Sequence, residues 1–195
     1  ERKIENLILA ILADLGFFPK SELSKFTKEG SILGGHCDIS VPGVEITSGS
    51  LGHGLGIACG MALSAKLDKK EHMIFCLLGD GECQEGSVWE ALMFASQHSL
   101  GNLVAIIDRN RLGSEDFTNN TASLEPLADK CSAFGWDSRV INGHSFDNLQ
   151  AVFNDCDYRN RTNIPLMIIA NTIKGKGISS MEDTPKSHHT LPNKE

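Results

Sequence analysis

The sequence lacks several features that would assign it to common functional classes. It has no block of basic residues and a net charge of −7, so it carries no electrostatic footprint for nucleic acid or for an anionic membrane surface. No apolar run is long enough to span a bilayer and no leading signal peptide is present, so we expect a cytoplasmic protein. Six cysteines occur without a CxxC pair, some inside apolar runs, which favours reduced, intracellular thiols.

The pattern of apolar residues predicts an α/β fold. The chain has 195 residues, of which 41% are hydrophobic and 22% charged, which is enough for one sizeable core and a single domain over residues 1–195. A helix is predicted over residues 4–15, followed by a shorter one that begins near Ser21. Beyond these, predicted strands alternate with helices, which is typical of a parallel sheet. The strands are residues 73–78, 103–108, 136–141 and 165–173, and the helices are residues 54–66, 85–98, 124–134 and 146–155.

A lone acid follows the first predicted strand in the stretch "FCLLGDGECQEG", residues 75–86. Asp80 stands between two glycines, and Asn110 follows the next predicted strand thirty positions later. Neighbouring parallel strands lie about 4.8 Å apart, so side chains that leave their carboxyl ends can meet at one point. A carboxylate, an amide oxygen and a backbone carbonyl beyond Asn110 suit Mg²⁺, which in turn predicts a phosphorylated ligand. The alternative is that Asp80 caps a helix and Asn110 sits in a turn.

The residues around this pair resemble a known family. "GDGECQEG" followed by "DRNRL" is similar to the thiamine diphosphate motif. The segments "PGVEITSGSLGHGLGIACGMALSAK", "LLGDGECQEGSVWEA", "NLVAIIDRNRL", "LEPLADK", "AFGW" and "IKGKGIS" together resemble the amino-terminal half of transketolase. The resemblance is greatest to the split form, in which that half is a separate subunit. It implies a three-layer, parallel-sheet thiamine-diphosphate-binding fold that lacks the family's first segment, because "ERKIEN" stands where the family has "SKGH".

The resemblance also implies which residues bind thiamine diphosphate and Mg²⁺. Asp80, Asn110 and the backbone carbonyl of Leu112 would bind the metal, which holds the diphosphate. The Gly81 amide would contact a phosphate, and Lys174 would approach the diphosphate. The thiazolium and the pyrimidine would be lined by Gly49, Ser50 and Leu51.

Three further positions match active-site residues of the family. His36 in "GGHCD" matches a histidine of the active site, and His188 fits a histidine at cofactor and substrate. Positioned imidazoles suit the proton transfers of this chemistry. His189 is an alternative to its neighbour, and His53 is a weaker candidate. Glu85 fits a glutamate that helps to link paired active sites across a dimer.

The activity that the resemblance implies is the transfer of a two-carbon ketol unit from a ketose phosphate to an aldose. A glutamate from another domain activates the cofactor in the family. We therefore expect a partner, a carboxy-terminal transketolase subunit, together with self-association and a heterotetramer. Three alternatives remain open at this point. They are a non-catalytic remnant that binds a nucleotide or a partner protein, a nicotinamide dehydrogenase suggested by the glycines of "GSLGHGLGIACG", and another thiamine enzyme.

Overall fold

The computed structural model describes residues 2–155 and 163–185, and the chain divides between Leu51 and Gly52 into two compact units. The prediction of one domain over residues 1–195 stays a prediction. The first unit contains helix α1 (Arg2–Asp14) and a short 3-10 helix (Lys20–Lys25), where the sequence had indicated a helix near Ser21. A small apolar core lies within this unit. It consists of Leu9, Ala13, Phe18, Leu33, Cys37 and Val41.

The second unit contains the other helices and all four strands of the described residues. The helices are α2 (Gly54–Leu67), α3 (Gly86–Gln97), α4 (Thr118–Thr121), α5 (Leu127–Ala133) and α6 (Phe146–Asn154), and the strands are β1 (Ile74–Gly79), β2 (Leu103–Arg109), β3 (Asp137–Asn142) and β4 (Leu166–Asn171). Over the described part of the chain, no helix combines the length and the apolar character that crossing a bilayer requires.

The four strands form one parallel sheet in the order β1-β2-β4-β3. Gly79 at the end of β1 pairs with Asp108 of β2, and Asp108 pairs in turn with Ala170 of β4. The carboxyl ends of these three strands therefore lie side by side at one edge of the sheet. The predicted parallel α/β fold is confirmed.

Helices cover both faces of the sheet, which gives the three layers that the resemblance implied. On one face, Cys76 and Leu78 of β1 lie in the main core with residues of α2, α3 and α5. On the other face, Val152 of α6 packs with residues of β2 and β4. In the described sheet β1 is an edge strand, and its side chains Phe75 and Leu77 are 52% and 45% exposed.

One helix begins later than the sequence pattern indicated. The prediction of a helix over residues 124–134 was wrong at its start, because α5 begins at Leu127. Pro126 precedes it with an extended ψ of 109°. Proline has no backbone N–H to donate and favours the first turn of a helix, so it fixes the start here.

The five described cysteines are buried in apolar surroundings and form no disulfide with one another. Burial raises the pKa of Cys76 to about 12 and the pKa of Cys59 to about 11. A buried thiol with a raised pKa is a poor nucleophile and a poor metal ligand. These side chains therefore act as small apolar residues of the core, as on α2, where the Cys59 Sγ donates to the carbonyl of Ala91 at 3.6 Å.

Candidate cofactor and metal site

Asp80 lies directly after β1 and is 1% exposed. Its Oδ1 accepts a hydrogen bond from the Gly81 amide at 2.8 Å and so caps a short 3-10 helix, Gly81–Gln84. Its Oδ2 accepts a second hydrogen bond, at 2.5 Å, from the amide of Arg111, which follows the neighbouring strand. Burial raises the pKa of Asp80, while the two amides and the charge of Arg109 oppose that rise. Helix capping therefore accounts for the contact of Oδ1, whereas the contact of Oδ2 joins Asp80 to the neighbouring strand end.

A tight turn after β2 brings the Arg111 amide to Asp80. The Asn110 side chain forms this turn, because its Oδ1 accepts from the Leu112 amide at 3.0 Å and its Nδ2 donates to Asp108 at 3.2 Å. Arg111 has a φ of 65°, in the left-handed region that costs a non-glycine residue about 1 kcal/mol. The local strain is tolerated because the turn is tied to Asp80 and Asp108.

The donor atoms at these two strand ends suit a hard divalent cation. A carboxylate, an amide oxygen and a backbone carbonyl are ligands that Mg²⁺ accepts, and the cation usually completes its shell with water and phosphate oxygens. The Asn110 Oδ1 bonds the Leu112 amide but keeps a second lone pair for a metal. The described residues hold no cluster of three or more histidine, cysteine, aspartate or glutamate side chains placed to bind a metal. A metal here would depend on this mixed oxygen set.

Gly81 lies where two loops approach each other. A Cβ built on Gly81 would lie 3.4 Å from the Cα of Gly113. The Gly81 amide already donates to Asp80 in this structure. Its predicted contact with a phosphate stays a prediction, and it would require that amide to be shared or released.

Glu82 joins two segments of backbone, and it was not among the site residues predicted from the sequence. This side chain is 7% exposed, and its two oxygens accept from the amides of Gly52 at 3.0 Å and Gly79 at 3.1 Å. Gly52 has a φ of +81°, and a Cβ there would lie 2.6 Å from the Cβ of Glu85. Ser87 Oγ donates to the Gly52 carbonyl at 3.0 Å. The only sequence signal for this role was an acid two positions after Asp80.

Four predicted site residues belong to the first unit. His36 is exposed, and its ring lies against Gly49, where a Cβ would come within 3.2 Å of the His36 Cγ. Gly49 has a φ of +126°, which L side chains rarely adopt, so this position requires glycine. Ser50 and Leu51 are exposed. Their predicted contacts with a cofactor stay predictions.

The remaining predicted residues lie at helix starts and in loops. Glu85 is the exposed N-cap of α3 and makes no capping hydrogen bond with its side chain. Lys174 follows β4, and its carbonyl accepts from the Asp183 amide at 3.0 Å. His53 is the exposed N-cap of α2. His188 and its alternative His189 lie outside the described residues.

A polar cleft of about 540 Å³ opens at the same strand ends. Asn110, Thr172 and His144 are among the residues that line it. His144 was also missed, and its Nε2 accepts from the Ile173 amide at 2.7 Å. The imidazole therefore fixes the backbone next to Lys174, a contact that the sequence does not indicate.

Comparisons with known proteins show the family to which this chain belongs. Residues 6–195 match the family described as the transketolase, thiamine diphosphate binding domain. The chain is 45% identical over 192 residues to an apulose-4-phosphate transketolase subunit from Phocaeicola vulgatus, covering 98% of this chain and 67% of that protein. It is 39% identical over 183 residues to a 6-deoxy-6-sulfo-D-fructose transketolase subunit from a Clostridium species, covering 93% and 66%.

The fold is also that of solved transketolases. The crystal structure of transketolase from Campylobacter jejuni superposes with a TM-score of 0.81 at 34% identity, over 86% of this chain and 27% of that one. The chain therefore spans about two thirds of the length of the two subunits and about a quarter of the longer transketolase.

Proposed function

Since the chain belongs to the family of transketolase thiamine diphosphate binding domains, we propose that it is the amino-terminal subunit of a split transketolase. It binds thiamine diphosphate and Mg²⁺, and with a carboxy-terminal subunit it moves a two-carbon ketol unit from a ketose phosphate or related ketose to an aldose. The observation that carries the proposal is the buried carboxylate of Asp80, which reaches the turn after β2 at the carboxyl edge of the sheet.

The metal would be held by Asp80, Asn110 and the carbonyl of Leu112. The short hydrogen bond from Arg111 to Asp80 supports this assignment, because it keeps the two loops that carry these oxygens together. Burial raises the pKa of Asp80, and a cation at the carboxylate would favour the charged form and oppose that rise. Metal binding would thus offset the free-energy cost of burying the charged Asp80 carboxylate.

The protein's own residues would position the reactants and exchange protons. When bound, the cofactor supplies an electron sink for carbon–carbon bond cleavage and formation. His36 and His188 would donate and accept protons at substrate oxygens, the task for which an imidazole is suited near neutral pH. Gly49, Ser50, Leu51, Gly81 and Lys174 would hold the cofactor, and Glu85 would link two active sites.

A partner is part of the proposal. The two similar proteins are each named as a subunit of a transketolase. A carboxy-terminal subunit would supply the glutamate that activates the cofactor. Two copies of each chain would form a heterotetramer, in which Glu85 links the paired active sites across the dimer. The described cysteines are buried and form no disulfide with one another, which supports a reducing compartment, and we propose the cytoplasm.

Calorimetry tests the binding half of the proposal. Thiamine diphosphate should bind the chain mixed with its partner in Mg²⁺ and not in EDTA. Asp80→Asn should weaken that binding at least about tenfold, because it removes the charged ligand. Asp147→Asn, an exposed change on α6, is the matched control and should leave the affinity unchanged. Equal affinity of wild type and Asp80→Asn would contradict the metal site.

Reconstitution tests the catalytic half. The chain, its partner, cofactor, Mg²⁺, a ketose phosphate and an aldose acceptor are mixed, and each protein is omitted in turn. We expect ketol transfer only in the complete mixture. Transfer by this chain alone would contradict the need for a partner. Metal-dependent cofactor binding without transfer would instead favour the alternative, a non-catalytic binding or partner subunit.

A further inference from the structure

A second cavity lies at the carboxyl ends of β2 and β4, beside the start of α5. Its volume is about 380 Å³, within the range of small-molecule sites. None of the described residues assigned above to the cofactor or the metal lines it. It shares Arg109, Arg111, Asn119 and Asn171 with the larger cleft at the strand ends, but the predicted metal ligand Asn110 lines only that larger cleft. Its polar lining consists of Arg109, Arg111, Asn119, Glu125 and Asn171.

Arg109 is the unusual member of this lining, since it is a charged side chain only 7% exposed. Its Nη2 pairs with the carboxylate of Glu125. Its Nη1 is shielded from solvent and donates to no acceptor among the described residues. A buried charged donor without an acceptor carries a desolvation penalty. An anion in the cavity, which Arg109 lines, would offset part of that penalty through its charge.

The charges of the lining favour an anion. Arg109 and Arg111 contribute two positive charges against one negative charge from Glu125, whose side chain is 43% exposed and has room to turn toward solvent. Asn119 and Asn171 add amide groups that can donate hydrogen bonds. The planar guanidinium group matches two oxygens of a carboxylate or a phosphate. We propose that this cavity binds a small oxyanion, a phosphate or carboxylate group, through Arg109 and Arg111.

An NMR titration of the full chain, labelled with ¹⁵N, tests this proposal. Sodium phosphate is added in one arm and sodium malonate in the other, with chloride balancing the ionic strength, in the absence and presence of thiamine diphosphate and Mg²⁺. We expect saturable shifts at the amides of Asn119, Leu127 and Asn171, with the cofactor present or absent. The arm with the higher affinity identifies phosphate or carboxylate as the preferred group.

Matched variants locate the anion. Arg111→Gln should weaken binding about tenfold, because it removes one charge-assisted contact. Glu125→Gln should tighten binding several-fold, since it removes the competing carboxylate. Arg139→Gln removes a charge from β3, outside the cavity lining, and should leave the affinity for the anion unchanged. Asn119→Ala, at an exposed residue, should weaken binding about threefold and serves where Arg111→Gln does not fold.

Three outcomes would overturn the proposal. The first is the absence of saturable shifts with either anion. The second is shifts that disappear when the cofactor and Mg²⁺ are added, because the anion would then occupy the diphosphate site. The third is that Arg111→Gln and Arg139→Gln weaken anion binding equally, which would mean that binding depends only on the overall charge of the protein. Failure of the cofactor to bind leaves this titration unaffected, so the two proposals fail separately.

Discussion

Glu82 provides the sharpest test of how the candidate site is held together. Its carboxylate is buried and accepts one hydrogen bond from each of two backbone amides, Gly52 and Gly79. Glu82→Gln keeps the shape of the side chain but replaces one acceptor oxygen with an NH₂ group, which faces an amide N–H. One buried donor is then unpaired. Hydrogen bonds to charged groups contribute about 1.5–3 kcal/mol, so we expect a loss of about 2 kcal/mol in the free energy of unfolding.

Urea unfolding and amide hydrogen exchange measure this effect. For a chain of this size, about 2 kcal/mol corresponds to a fall of roughly 4–8 °C in Tm. Exchange should accelerate at Gly52 and Gly79, the two amides that Glu82 accepts from. Glu90→Gln, an exposed change on α3, is the matched control and should alter neither quantity. An unfolding free energy within about 0.5 kcal/mol of wild type, with unchanged exchange at both glycines, would refute the reasoning.

Two further predictions follow from packing and burial. Gly52→Ala should destabilise the fold by more than about 1 kcal/mol, because Gly52 has a positive φ and an added Cβ would clash with Glu85. The control, Gly56→Ala on α2, places its Cβ in open space and should be neutral or stabilising. Equal Tm values for the two variants would contradict this prediction. The raised pKa of Cys76, about 12 against 9.0 for an ordinary thiol, contributes stability below pH 9 that is lost as the pH rises toward 12, because only the unfolded thiol ionises there. Urea unfolding from pH 8 to 11 should show a shallower decline in Cys76→Ala, and identical slopes would contradict the assignment.

The strand ends could be predicted from the sequence because the apolar runs stop at residues with distinct chemistry. The run that ends at Leu78 is followed by Gly79 and Asp80, and the run that ends at Ile107 is followed by the polar residues 108–110. In a parallel sheet those ends meet. The structure confirms the neighbouring strands and joins Asp80 to the turn at Arg111. The ligation of a metal stays a prediction.

The contacts of Glu82 could not be predicted in the same way. One of its partners, Gly52, lies thirty positions away, and both partners donate from the backbone. A backbone amide leaves no mark in the amino-acid sequence. The pairing of Arg109 with Glu125 could not be predicted for a related reason. Arg109 is the last residue of an apolar strand, and its burial depends on how the segment before α5 folds.

The edge position of β1 has a practical consequence. Phe75 and Leu77 present apolar surface on a strand whose outer hydrogen-bonding groups have no neighbouring strand in the described sheet. Such an edge is a template for intermolecular strand pairing. Preparations of this chain alone should accordingly become turbid as they are concentrated, and a lysine substituted for Leu77 is a direct remedy to try for storage and crystallisation.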